Sequence, residues 1–364
     1  MRPNATKLFL SILFVCFTLS SFAQNATTLY VGGYTNGDAK GEGIYTFEFN
    51  SETGALKNRK LVTKATSPSY LAISSDKKTI YSVSESKNYL NSNSGAIASF
   101  KVLTAGMLEK NSEISSYGAN PCHLSLNSKG DKLVVSNYTG GNFSLFSVLK
   151  DGRIDTIQQV VNLNNDSIKA HTHSAQFYKN DLFIADLGVN TLERYSFSDS
   201  IYTPKQTITM ADKSGPRHFA MTKNADFIYV INEYGATIST LQNNGTDYKK
   251  IKDTSTLGEN YKGKNSCADI HLSSDEKFLY GSNRGENTIV VFERNKKDGS
   301  LRKIQSISCH GDWPRNFTIG PKGNFLLVAN KKSSNIAIFL IDKASGELTY
   351  IYDVKSPNPT CLQF

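Results

Sequence analysis

The chain has 364 residues and a formal charge of +9, from 41 Lys and Arg against 32 Asp and Glu. The lysines gather in turn-like segments between apolar runs, which describes a solvated surface and excludes a nucleic-acid footprint. No linker or shift of composition divides the chain, and its cysteine spacing matches no zinc motif, so neither a two-domain assembly nor a zinc-built fold is expected.

Residues 1–23 carry Arg2 and Lys7, an apolar run from Leu8 to Leu19, and the small-residue end Ser21-Phe22-Ala23. This pattern predicts a secretory signal, with a mature protein starting near Gln24 that is periplasmic or secreted. Phe14-Val15 before Cys16 makes a poor lipoprotein box, so no lipid anchor and no membrane insertion after cleavage are expected. The four cysteines that remain, Cys122, Cys267, Cys309 and Cys361, read as small buried residues, although an oxidising compartment permits one bridge among them.

Leu29 to Gly33 opens the ordered chain as a strand without an inner neighbour. A short phrase then recurs, a Pro-led or polar start followed by alternating apolar residues, beginning at Pro68, Pro121, Thr172, Pro216, Cys267, Pro314 and Pro359. The steps between copies run from 44 to 53 residues, the period of one supersecondary unit repeated. After each phrase come a turn and a second apolar run, as in Leu71 and Ile73, Ser-Ser-Asp-Lys-Lys, then Ile80 to Val83, which predicts a β-hairpin. Third runs follow (Ala96 to Val102, Phe143 to Val148, Thr191 to Phe197, Ala236 to Leu241, Thr288 to Phe292, Ile336 to Ile341), and shorter fourth runs such as Ile157 to Val161 precede the next phrase.

Four antiparallel strands per repeat without helical periodicity make a propeller blade. The final hexapeptide, Pro359 to Phe364, is an inner strand with no successor, while the opening strand lacks one. The expected fold is therefore all-β: a seven-bladed β-propeller formed by residues 24–364 as a single domain, closed by the C-terminal strand pairing with the N-terminal blade.

In such a ring the start of each inner strand lies beside the end of the second strand, on one face of the disc. The second position of the seven phrases reads Ser69, Cys122, His173, Arg217, Ala268, Arg315 and Thr360. The residue just past each second strand reads Tyr34, Glu85, Tyr138, Leu187, Glu233, Arg284 and Lys331. Two carboxylates and a histidine there supply general acid/base groups, and three arginines and a lysine supply an anion-binding mouth. Inter-blade ion pairing is the competing use of the same charges. His123, His218 and His271 fall inside inner strands and fit hydrogen-bonded wall residues, and Asp269 beside His271 fits an inter-blade bond better than a metal pair. Trp313 stands at the mouth, either stacking on a sugar or packing in a loop. The Gly32-Gly33 and Gly140-Gly141 pairs are turn glycines with no phosphate-cradling context.

Gly215-Pro216-Arg217-His218, Asn232-Glu233, Ala268-Asp269-Ile270-His271 with Asn283-Arg284, and Trp313-Pro314-Arg315-Asn316-Phe317 resemble the seven-bladed 6-phosphogluconolactonase family, which also includes carboxy-cis,cis-muconate cyclases. His171-Thr172-His173-Ser174 with Asp186-Leu187-Gly188 fits the same pattern, so the resemblance spans Leu29 to Phe364. It implies a lactonase with His173, Arg217, Glu233 and Arg284 as catalytic group, and no metal or cofactor. Arg315, Glu85, Lys331, His171, His218, Asp269 and His271 form the expected substrate-contacting shell, and the partner is a small anionic sugar lactone. The leader conflicts with a cytoplasmic phosphorylated substrate, so an extracytoplasmic aldonolactone or another carboxylated sugar lactone is favoured over the phosphorylated one. A muconate-type cycloisomerase and a non-catalytic glycan- or protein-binding propeller remain the alternatives, and the oligomeric state is left open.

Overall fold

Each inner-strand phrase becomes the innermost strand of its own sheet. In a computed structural model, which describes residues 26–36, 40–165 and 167–364, seven four-stranded antiparallel sheets contain every strand of the described residues. The leader expected at residues 1–23 lies outside the described residues. Blades two to seven run from Leu71–Ile73, Pro121–Leu126, Thr172–Tyr178, Pro216–Met221, Ser266–Leu272 and Pro314–Ile319 outward in chain order. Blade one is built from both ends of the chain, with Pro359–Gln363 pairing antiparallel to Ala26–Gly33.

The second and third strands of a blade are covered on both faces by the adjacent blades, and their sequences are correspondingly rich in apolar residues. Phe227–Asn232 (FIYVIN) and Phe325–Asn330 (FLLVAN) are buried along their whole length. Fourth strands lie at the rim, so they alternate or carry charge, as in Tyr248–Ser255 (YKKIKDTS), whose lysines guard an open sheet edge. The core is a ring of apolar clusters rather than one centre, with a cluster at each of the seven blade junctions. The junction of blades seven and one contains Phe49, Phe325, Leu327, Ile338 and Leu362, so the closing strand is packed as well as hydrogen-bonded.

Hairpin glycines let neighbouring blades approach. Gly299 has φ +72, and a Cβ there would stand 2.4 Å from the Phe227 ring of the preceding blade. Gly346 against Phe278 repeats the arrangement one blade further on, with φ +78 and 2.3 Å. Only glycine satisfies both the left-handed backbone and the missing space. At the closing junction the phenol of Tyr352 accepts a hydrogen bond from Leu56 N (2.6 Å) and donates to Gly54 O (3.0 Å). Tyr352→Phe is expected to cost about 1–2 kcal/mol of stability, read as a lower midpoint in chemical denaturation with an unchanged slope.

The described cysteines are free and buried, so the bridge that the sequence allowed is absent among them. Cys361 Sγ accepts from Leu71 N at 3.3 Å, and Cys122 Sγ lies 3.4 Å from His173 O, so both thiols fill inter-blade space near the axis.

Candidate active site

One local irregularity, repeated around the ring, builds the site. In six blades the inner strand skips a residue at its start: Pro121 pairs with Asn137 but His123 with Ser136, Thr172 with Asp186 but Ser174 with Ala185, and Pro216 with Asn232 but His218 with Ile231. The same shift occurs after Cys267, after Pro314 and between Pro359 and Cys361. A β-bulge places two consecutive residues opposite one and re-aims their side chains. The unpaired positions are Cys122, His173, Arg217, Ala268 with Asp269, Arg315 and Thr360. All are residues of the second column, save that blade six skips Asp269 as well. Beside the bulges the third positions His123, His218, Asp269 and Asn316 meet in a second layer, which strict period-two alternation does not anticipate. Two tiers result.

The upper tier holds Arg217, Glu233 and Arg284 in direct contact. Glu233 Oε2 lies 2.8 Å from Arg284 Nη2 and 3.0 Å from Arg217 Nε, although the latter is out of line for a hydrogen bond. Arg217 is fully buried and donates from Nη1 to Ala268 O at 2.5 Å. Arg284 donates to Ser266 O (3.1 Å) and Cys267 O (2.8 Å). Backbone carbonyls thus fix both guanidinium groups independently of any ligand. Burial pushes the Glu233 carboxyl up, but Arg284, Arg217 and Arg315 outweigh it and hold the group below its ordinary value. Burial, with the like charges of Arg284 and Arg315, lowers Arg217 to about 10, so it remains a cation at neutral pH.

Across the mouth, Arg315 Nη2 stands 4.0 Å from Glu85 Oε2. The Tyr34 hydroxyl sits 2.9 Å from both Glu85 oxygens, and Ser69 donates to Oε2 at 2.5 Å. Arg315 and Lys331 lie 5.4 and 4.8 Å from the centre of the Tyr34 ring, and Arg284 and Lys332 lie 5.3 and 3.5 Å from that of Trp313. Two aromatic rings therefore separate four cations that would otherwise repel. Burial and then Arg315 lower the Lys331 value, and among the described residues its ammonium has no carboxylate within ion-pair distance.

His173 is buried beside Tyr138 and His218, with ring centres 5.9 and 5.1 Å apart. Burial first, then Arg217 and His218, holds it well below the ordinary imidazole value, so it is neutral, and its Nδ1 has no hydrogen-bond partner among the described residues. His171, one residue ahead of the strand, stacks on Tyr138 at 4.6 Å with Nδ1 2.9 Å from Tyr138 O.

The lower tier closes the channel beneath them. Asp269 Oδ1 lies 2.7 Å from His218 Nδ1 and accepts from Ile270 N (3.0 Å). Its Oδ2 meets His271 Nε2 (3.0 Å), Asn316 Nδ2 (2.5 Å) and Phe317 N (3.2 Å). Tyr70 and His123 complete the tier, their rings 4.2 Å apart and His123 5.5 Å from His218. His218, Asp269 and His271 are brought to one another, not to Glu233. Both oxygens of Asp269 are engaged by this internal network, while His218 Nε2 has no hydrogen-bond partner among the described residues. Tyr34 and Ser69, uncharged members of the aligned columns, orient Glu85. Among the described residues no group of His, Cys, Asp or Glu has the arrangement of a metal site.

This geometry offers fixed cations beside an ionised carboxylate and a neutral imidazole, above a closed floor. It suits a carbonyl that gains negative charge when water adds. A family profile described as "Lactonase, 7-bladed beta-propeller" matches residues 28–364. A 6-phosphogluconolactonase of Bacillus subtilis (strain 168) is 30% identical over 352 residues, covering 92% of this chain and 97% of its own length. That of Formosa agariphila is 36% identical over 338 residues, with 88% and 94% covered. The structure of the Pseudomonas aeruginosa periplasmic gluconolactonase superimposes with a TM-score of 0.84 at 26% identity, covering 93% of this chain and 98% of that one. With seven bladed sheets, one polar mouth and a match over nearly the whole described chain, the protein belongs to the seven-bladed β-propeller lactonase family and is a lactone hydrolase of the 6-phosphogluconolactonase type.

Proposed function

We propose that the protein is an exported hydrolase of a non-phosphorylated aldonolactone. The observation that carries the chemistry is Glu233 clamped between Arg217 and Arg284 at the open face. A lactone carbonyl set against these guanidinium groups is polarised by charges that need no reorganisation during reaction. Water adds to the carbonyl carbon, passing a proton to the His173 imidazole with Glu233 orienting it. The bond from the carbonyl carbon to the ring oxygen then breaks, the proton goes to that oxygen, and the new carboxylic acid ionises. The resulting carboxylate stays at Arg217 and Arg284, where the carbonyl stood, while Arg315 and Lys331 hold the rest of the substrate from the opposite side. Lactones are reactive esters, so positioning and charge suffice for the step.

Two observations favour export and a substrate without phosphate. Residues 1–23 have the composition of a cleavable leader, and the periplasmic protein of P. aeruginosa, similar over nearly the whole chain, is a gluconolactonase. A pH-stat assay of the protein from Gln24 onward is expected to show turnover of glucono-1,5-lactone with kcat/KM above that for 6-phosphogluconolactone. N-terminal sequencing of protein recovered from the extracytoplasmic fraction is expected to begin near Gln24. Preference for the phosphorylated lactone, or recovery with residues 1–23 intact in the cytoplasm, overturns the reading.

A further inference from the structure

Blades one and two depart from the others on the face that carries the site. In blade two the second and third strands are joined by residues 85–95 and in blade one by 34–42, whereas blades three to seven use only 138–141, 187–190, 233–236, 285–287 and 331–334. Insertions on one face of a repeat ring mark where it binds. The longer segment forms one wall of a cleft of about 720 Å³ lined by Asn36, Glu85, Asn88, Asn91, Asn93 and Asn120, with Ser86, Lys87 and Ser92. That volume falls within the usual range of ligand sites, roughly 300–1,000 Å³.

The wall is fixed by its own bonds: Tyr89 N to Ser94 O (2.8 Å), Ser92 N to Tyr89 O (3.0 Å) and Asn120 N to Ser86 O (2.7 Å). Leu90 and Asn91 hold left-handed φ values of 49° and 59°, a cost that the local bonding sustains. Elsewhere asparagine amides near this face are committed to the protein, as at Asn137, Asn232, Asn283 and Asn330. The five asparagine side chains of the cleft make no hydrogen bond among the described residues. Each offers donors and an acceptor in fixed relation, the complement of a sugar's hydroxyl groups. One carboxylate and one ammonium leave the lining formally neutral, while the cations cluster across the mouth at Arg315, Lys331 and Lys332. The cleft joins the reaction centre at two points: Glu85, which faces Arg315, and Asn120, whose carbonyl accepts from the backbone of Tyr138 beside His173.

Resting on the proposed aldonolactonase reading, we infer that this cleft is a glycosyl subsite, so that the preferred substrate is an aldonolactone carrying a further neutral sugar residue. The probe is cellobiono-1,5-lactone, compared with glucono-1,5-lactone. Wild-type kcat/KM is expected to favour the disaccharide lactone by roughly tenfold or more, the gain from two or three added hydrogen bonds. In the triple variant Asn88→Ala, Asn91→Ala, Asn93→Ala, all at exposed positions, that ratio falls toward unity. Calorimetric binding of cellobionate against gluconate tests the cleft without turnover and is expected to show the same preference and the same loss. If neither lactone is hydrolysed while cellobionate still binds preferentially, the aldonolactonase reading fails and the subsite stands. Equal wild-type kcat/KM and binding, or a preference unchanged in the triple variant, overturns the subsite.

Discussion

Arg217→Ala lowers kcat/KM for lactone hydrolysis by roughly 10²–10³, the usual loss when one fixed charge donor is removed from a developing oxyanion. The effect is large because Arg217 is fully buried, where a charge acts through a poor dielectric, and because its bond to Ala268 O positions it before substrate arrives. Glu233 keeps Arg284 at 2.8 Å in the variant, so no buried carboxylate is orphaned and the fold survives, to be checked by circular dichroism. Arg217→Lys retains the charge without the planar fork and falls between wild type and alanine. Added guanidinium recovers part of the rate of the alanine variant and none of the loss in the lysine variant. Glu233→Gln gives a comparable fall, since it removes the carboxylate that orients the attacking water and holds Arg284. Turnover unchanged in Arg217→Ala removes this residue from the chemistry.

Most of this site was legible from the repeat alone, and the reason is geometric. Arg217 and Glu233 occur 16 residues apart in sequence, and Arg284 another 51 on, yet each is one residue from a fixed point of its blade. Aligning the phrases therefore groups them without reference to any contact. Two things were invisible. The bulge leaves no composition signature, since its unpaired residue is Cys122 in one blade, His173 in another and Thr360 in a third. Without it, Asp269 and His218 appear as wall positions in separate strands, when in fact they form one plug beneath the mouth. Uncharged members of the columns carry no electrostatic signal in the sequence, yet the Tyr34 hydroxyl binds Glu85 while its ring lies beside Arg315 and Lys331. The asparagine cleft has a plain signal, the longest connection between second and third strands in the ring, but it is readable only once strand ends are fixed.

The plug sets the acid limit of the fold. His218 sits at about 4, because burial and the charge of Arg217 outweigh the attraction of Asp269, and His123 and His173 are likewise held well below the ordinary value, chiefly by burial. For such groups the unfolded chain takes up protons as pH falls through about 6.5 while the folded chain does not, so stability decreases toward acid. The shift of His218 alone corresponds to about 3 kcal/mol lost between pH 6.5 and 4. His123 and His173 act with the same sign. His271 opposes them over a different window: burial lowers it, Asp269 raises it further, and the stability it adds is present below pH 6.5 and lost as pH rises through its folded value. Asp269, held well below its ordinary value by His271 and His218 against the effect of burial, adds stability that disappears only as pH falls below the usual carboxylate range. The expected result is a melting temperature that drops steeply between pH 6.5 and 4.5. His218→Gln, which does not titrate and keeps a donor toward Asp269, flattens part of that slope although it is less stable at neutral pH. An unaltered slope in this variant, with wild type equally stable at both pH values, would show that the three imidazoles are not held neutral by the closed channel.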